Sequence, residues 1–221
     1  MRDPRLNGPP LVVAAHGSAD PRFADVVEAI AAQVRARRPG MDVRVGYLEH
    51  GPPSIEDVTD NTCVVVPLLL ASGYHVRIDV PAQAPAALLA DAVGPDSLLA
   101  EALADRLGEV GYDGRSPVVI AAAGSSDNRA LDDVRLMAGH LSRRLGVDVT
   151  TAFVSAGSPR LTEVSPRVVS SYLLAPGTFH DAVVAAGAGV TSPPIGAHQA
   201  VAQIVLDRYD ATQVPGRIAP A

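Results

Sequence analysis

The chain of 221 residues sits between one domain and two, and with 48% hydrophobic and 19% charged residues it is not a disordered polymer. Its net charge is −6, all 18 basic residues are arginine, and aromatics make up only 4%, which argues against a nucleic-acid partner. No window reaches the ~18 apolar residues of a membrane span, the start lacks an apolar signal core, and the single cysteine, Cys63, excludes an internal disulfide or a thiolate cluster. A cytoplasmic protein with no membrane partner is expected.

The first stretch, up to Pro10, reads as loose. Leu11–Ala15 is a continuous apolar run, the mark of a strand buried on both faces. It ends in His-Gly-Ser-Ala-Asp-Pro, where Asp20 suits an N-cap and Pro21 the first helical position. Phe23, Val26, Val27, Ile30 and Val34 recur at helical spacing until Pro39-Gly40 stops the helix. Val43–Leu48 reads as a second strand, Ser54 caps a short helix, and Thr62–Leu70 is a third strand. Ala87–Val93 is a weaker fourth strand, and a helix over Ser97–Val110 closes the unit. The chain then crosses over near Gly111–Ser116. Strands at Val118–Ala122, Val149–Val154, Val168–Leu174 and Val190–Ser192 follow, with helices over Asn128–Leu145 and Ala197–Tyr209. Strand–helix alternation implies parallel sheets.

The second set of elements is a copy of the first. Leu11–Ser18 matches Val118–Ser125 at an offset of 107, Asp42–Glu49 matches Asp148–Ser155 at 106, Leu69–Gly73 matches Leu173–Gly177 at 104, and Val93-Gly94 matches Ile195-Gly196 at 102. A repeat of this length marks a duplication, not a solenoid. It predicts an N-terminal lobe over residues 1–112 and a C-terminal lobe over 113–221, with a loose tail from about 211.

Ligands of open parallel sheets bind beyond the carboxyl ends of the strands. In the first lobe those ends carry His16, then Glu49 and His50, then Gly73-Tyr74-His75. The second lobe has Ala123, Ser155, Ala156 and Phe179 there. One copy therefore gathers imidazoles and a carboxylate, and the other forms an apolar wall. His16, Glu49 and His75 suit a borderline divalent metal, or proton transfer. His50 should alternate away from Glu49. His140 should face solvent or pack, and His198 should cap or line the cleft. His180 is a weaker candidate to reach the cleft from the other lobe. Gly17-Ser18 before a helix reads as a plain capped turn, with anion binding as the alternative. Arg22, Arg77, Arg129 and Arg160 follow strand ends, where an anionic ligand would meet them. Asp79 reads as a cap for the next helix. No P-loop, Gly-x-Gly-x-x-Gly or serine elbow is present.

Four segments carry a family pattern: Val12-Val-Ala-Ala-His-Gly-Ser18 with Asp20-Pro-Arg22; Tyr47-Leu-Glu49 with Pro53-Ser-Ile55; Val65–Ala71 running into Gly73-Tyr-His75; and Val93-Gly-Pro-Asp96. The chain resembles the class II tetrapyrrole chelatases, specifically the sirohydrochlorin cobalto- and ferrochelatases. That resemblance implies an α/β fold of two duplicated flavodoxin-like lobes, each a parallel sheet flanked by helices, facing across a cleft. It implies ATP-independent insertion of a divalent metal into sirohydrochlorin, in siroheme or cobalamin biosynthesis. The metal (Fe2+, Co2+ or Ni2+) is substrate, and no organic cofactor is expected. His16, Glu49 and His75 match the metal-handling and catalytic positions, and Ser18, Arg22, Gly73 and Tyr74 are the candidate tetrapyrrole-binding residues. A monomer is expected, because one chain holds both lobes that a smaller relative would assemble from two copies. The alternatives are a non-catalytic metal or tetrapyrrole carrier, separable by turnover, and a hydrolase using a metal-bound water, which lacks a second carboxylate cluster.

Overall fold

The computed structural model, which describes residues 8–213, contains two four-stranded parallel sheets. The first comprises β1 (Leu11–Ala15), β2 (Val43–Tyr47), β3 (Val64–Pro67) and β4 (Leu88–Leu89), ordered β2-β1-β3-β4. The second comprises β5 (Val118–Gly124), β6 (Val149–Ala156), β7 (Val168–Tyr172) and β8 (Val190–Thr191), ordered β6-β5-β7-β8. The duplicated sequence thus gives a duplicated topology.

Every residue of β1 is buried, and its two faces serve different cores. Leu11, Val13 and Ala15 join a large cluster shared by both halves, while Val12 and Ala14 pack with Ile55 and Val80. This is how a run without alternation satisfies a period of two: both faces are apolar because both are covered.

The helices are α1 (Pro21–Arg37), α2 (Ile55–Val58), α3 (Val80–Gln83), α4 (Ser97–Glu109), α5 (Asn128–Leu145), α6 (Thr178–Ala185) and α7 (Gln199–Thr212). Asp20 caps α1 by accepting from the Arg22 N–H, and Asp127 caps α5 in the same way through Arg129. Ser54 and Asp57 close a reciprocal capping box on α2.

The closing helices are exchanged. α4 follows the first sheet but packs against α5 and β7 of the second, while α7 follows the second sheet and packs against α1 and β3 of the first. The two also touch each other. Each half's last helix therefore completes the other half's core, where periodicity had predicted that each would close its own lobe. A helical pattern shows that a face is buried, not which sheet buries it.

Other differences are local. The regular ladder of β3 ends at Pro67, and β4 spans two residues, although backbone bonds from Ala90 to Val65 and from Gly94 to Leu69 prolong the pairing. Two helical segments were not foreseen: a π-helical turn over His75–Asp79 leading into α3, and α6. The expected loose start is held in part, since Tyr209 donates to the Pro9 carbonyl and Val64 to that of Pro10. The tail expected from about 211 is helical through Thr212 and capped at Gln213, and residues 214–221, like residues 1–7, lie outside the described residues. Among the described residues no helix is long and apolar enough to cross a membrane.

Candidate metal site

The loop from β1 to α1 presents His16. Gly17 follows at φ +93°, a conformation that glycine adopts freely, and a Cβ there would lie 1.8 Å from the Glu49 carbonyl oxygen. Its repeat partner Gly124 has φ +92° and the same clash with Ala156. The duplicated turn is therefore the same piece of backbone in both halves. The side chain before it differs, His16 in one and Ala123 in the other.

His75 comes from the π-helical turn, not from a strand end. Its Nε2 lies 3.2 Å from Nε2 of His16, with the rings edge-on at 4.5 Å between centroids. His16 Nδ1 faces the Gly17 carbonyl at 3.1 Å, and His75 Nδ1 faces Asp79 Oδ2 at 2.6 Å. Both partners only accept, so each Nδ1 carries the hydrogen and both Nε2 lone pairs converge. The two Nε2 atoms face each other across 3.2 Å, a gap that one metal ion bound to both would bridge. Two nitrogens 3.2 Å apart subtend about 100° at a metal bound to both at about 2.1 Å, between the tetrahedral and octahedral angles.

Glu49 does not complete the expected triad. Its N–H donates to the His16 carbonyl at 2.9 Å, so its backbone is adjacent, but its half-exposed carboxylate lies 3.4 Å from His50 Nε2. Among the described residues no three His, Cys, Asp or Glu side chains gather as a metal-holding group. His50 was expected to point away from Glu49. The chain leaves β2 at Tyr47 and His50 sits at φ +56°, so strand alternation no longer applies there.

The candidate binding residues divide. Ser18 Oγ accepts from the Asp20 N–H, a turn bond repeated by Ser125 and Asp127. Arg22 forks onto Asp20, with Nε at 3.0 Å and a terminal nitrogen at 2.6 Å, and reaches within 3.9 Å of Asp181. These bonds hold the Asp20 carboxyl below the usual carboxylate range. Gly73 lies on the seam between the halves, where a Cβ would be 3.4 Å from Ala130 Cβ, and the neighbouring Ser72 N–H donates to Asp133 at 2.6 Å. Tyr74 is 59% exposed, its ring edge-on to His75.

The second half supplies Phe179 at the position of His75, 45% exposed. Ser155, where Glu49 stands in the first copy, donates to the Ala123 carbonyl at 2.7 Å. His198 caps α7 and pairs with Asp105, and His140 accepts from Arg143. His180 has a buried Nε2 without a hydrogen-bond partner. The residue missed by sequence reasoning is Asp79. It makes no capping bond to α3 and bonds His75 instead.

The CbiX family model matches residues 10–110, the copy that carries both histidines. The sirohydrochlorin cobaltochelatase of Sulfurisphaera tokodaii is 34% identical over 80 residues, covering 31% of this chain and 67% of that protein. The enzyme of the same name from Methanococcoides burtonii is 31% identical over 78 residues, and the match covers 32% of this chain and 60% of that relative. Among solved structures, SirB from Bacillus subtilis with Fe3+ superposes with a TM-score of 0.74 at 23% identity, covering 93% of this chain and 95% of that one. CbiX, described as the terminal enzyme of siroheme biosynthesis in denitrifying bacteria, gives 0.72 at 22%, covering 91% and 98%. These structures share the duplicated fold. With the match on the histidine-bearing copy and the two-sheet architecture together, the chain belongs to the CbiX family of class II tetrapyrrole chelatases.

Proposed function

We propose that the protein inserts a divalent metal, Fe2+ or Co2+, into sirohydrochlorin without a nucleotide, as a step toward siroheme or cobalamin. The observation that carries this reading is the convergence of the His16 and His75 Nε2 atoms at 3.2 Å. Two imidazoles on one edge of a metal leave its other positions open. A weakly saturated ion is what transfer to four pyrrole-type nitrogens requires, whereas a closed shell would store it.

Insertion exchanges one M2+ for two ring N–H protons. In this reading His16 and His75 deliver the ion, and Glu49, whose backbone adjoins His16, accepts protons after turning from His50. The ligands belong to the copy within residues 1–112. The copy within 113–221 supplies a wall through the exposed Phe179. With Arg22 committed to Asp20, the substrate carboxylates fall to Arg77 and Arg129, which are exposed and make no side-chain ion pair among the described residues. Arg77 shares the π-helical turn with His75, and Arg129 precedes Ala130, which touches Gly73 across the seam.

The test is anaerobic incubation with sirohydrochlorin and Co2+ or Fe2+, followed by absorbance. Many turnovers per chain are expected. One equivalent of metallated product per chain would identify a carrier instead, and no product with any divalent metal would remove the assignment.

A further inference from the structure

His75 carries a partner that His16 lacks. The Asp79 carboxylate accepts from its Nδ1–H at 2.6 Å, whereas His16 has only the neutral Gly17 carbonyl at 3.1 Å. Asp79 stands where a cap for α3 would stand, yet makes no capping bond, and among the described residues no arginine pairs with it. His75 and Asp79 are four residues apart on a single π-helical turn, so one rigid backbone segment sets both. π-Helical turns of this kind concentrate at functional sites.

The duplication supplies a second, independent observation. At the offset of 104 that aligns Gly73 with Gly177, His75 falls on Phe179 and Asp79 on Val183. Val183 is fully buried. The copy that lacks the imidazole lacks the carboxylate too, and an apolar pair takes the same spacing. A carboxylate kept to stabilise the turn itself would not need to follow the histidine.

We propose that Asp79 is a positioning residue for His75: it fixes the Nδ1–H tautomer and the ring orientation, and so aims the Nε2 lone pair at the metal shared with His16. This rests on the reading of His16 and His75 as the metal pair. A carboxylate behind a ligating histidine contributes about 10–100-fold in metal affinity in other proteins. Because Asp79 acts through His75, its loss should fall on metal binding and not on tetrapyrrole binding.

The experiment uses the full chain with Asp79→Ala and Asp79→Asn, both checked for folding by thermal melts. The metal-free imidazole tautomers are read by long-range 15N NMR, and Co2+ affinity by visible absorption titration. In wild type the His75 hydrogen should sit on Nδ1. In Asp79→Ala an Nε2–H population should appear, Co2+ affinity should fall about 10–100-fold, and KM for metal should rise with KM for sirohydrochlorin unchanged. Asp79→Asn keeps an accepting oxygen and should recover most of the affinity. Wild-type tautomer and wild-type Co2+ affinity in Asp79→Ala would overturn the proposal. Unchanged Co2+ affinity in both His16→Ala and His75→Ala would instead overturn the metal-site reading, and the tautomer measurement, which needs no metal, would still decide whether Asp79 positions His75.

Discussion

Arg106 and Arg208 occupy equivalent places in the repeat and make reciprocal bonds, each to a main-chain carbonyl of the other half. Arg106, on α4, donates to the Ile195 carbonyl at 3.0 and 2.9 Å, and Arg208, on α7, donates to the Ala92 carbonyl at 2.9 Å and to Asp96 at 2.8 Å. Each guanidinium thus satisfies a main-chain acceptor at the end of the other half's sheet. Arg208→Ala leaves the Ala92 carbonyl and the Asp96 carboxylate without this partner. The expected cost is about 1–3 kcal/mol, measured as a lowered denaturation midpoint in urea with an unchanged slope.

The helix exchange makes a prediction about fragments. A piece ending at residue 112 lacks α7, which covers α1 and β3, and instead exposes α4, whose Leu99, Leu103 and Leu107 are fully buried in the intact chain. Either half expressed alone should be unfolded or aggregated, and the two co-expressed should reassemble. Circular dichroism and size-exclusion chromatography of each preparation provide the check. A cooperatively melting single half would contradict the exchanged packing.

Co2+ should bind at one site per chain across the two Nε2 atoms, 3.2 Å apart, and calorimetric titration with Co2+ of wild type and of each histidine variant checks it. His16→Ala and His75→Ala should each abolish or greatly reduce metallation while melting close to wild type, since both side chains are partly exposed. Near wild-type turnover in both variants would remove the pair from the mechanism.

Arg77→Gln and Arg129→Gln should weaken sirohydrochlorin binding, raising KM several-fold while Co2+ affinity holds. Each removes a charge-assisted contact to a carboxylate. Fluorescence titration of the metal-free macrocycle against each variant separates binding from chemistry, and unchanged affinity in the double variant would place the carboxylates elsewhere.

Acid stability has an assigned source. Hydrogen bonds from the Thr62 hydroxyl and N–H, reinforced by Arg44, lower the Asp60 carboxyl from 3.8 to about 2. Bonds from Ser116 and Arg115 do the same for Asp113, also to about 2. A carboxyl depressed in the folded state contributes stability above its unfolded value, and that contribution fades as pH falls through the folded one. Thermal midpoints should therefore decline between about pH 4 and pH 2. Asp60→Asn should be less stable than wild type at pH 5, and the gap should close toward pH 2.

Much of this was legible in the chain alone. The apolar run Leu11–Ala15 and the capped, periodic stretch Asn128–Leu145 became elements with the expected bounds, because burial on both faces and strong caps leave few alternatives. His16 and His75 stood out because the second copy lacks them, and the structure brings them together. Three features were not legible, each for a physical reason. The segment after Tyr74 is short and interrupted by Pro81, so no period announced its helical turn. The partner of a buried helical face is a tertiary fact, so the exchange of α4 and α7 was invisible. The direction of Glu49 depends on side-chain rotation outside a strand. Asp79 was within reach: extending the comparison of the two copies four residues past His75 and Phe179 finds it beside Val183.

The exchange of α4 and α7 also limits how the site can work. Two bodies joined by a single strap can swing like a jaw, at the cost of bending only the strap. Here each body has its last helix embedded in the other, and the Tyr172 hydroxyl, its ionisation opposed by complete burial, is bonded at 2.7 Å to the Leu70 carbonyl beneath the seam. Opening the gap would drag buried helices out of packed cores. On the function proposed above, a macrocycle held between the halves would meet walls at a fixed separation, and the bending that exposes its nitrogens to the metal would occur in the macrocycle. Solution scattering profiles with and without sirohydrochlorin should superimpose, while the Raman modes of the bound macrocycle should shift from those of the free one.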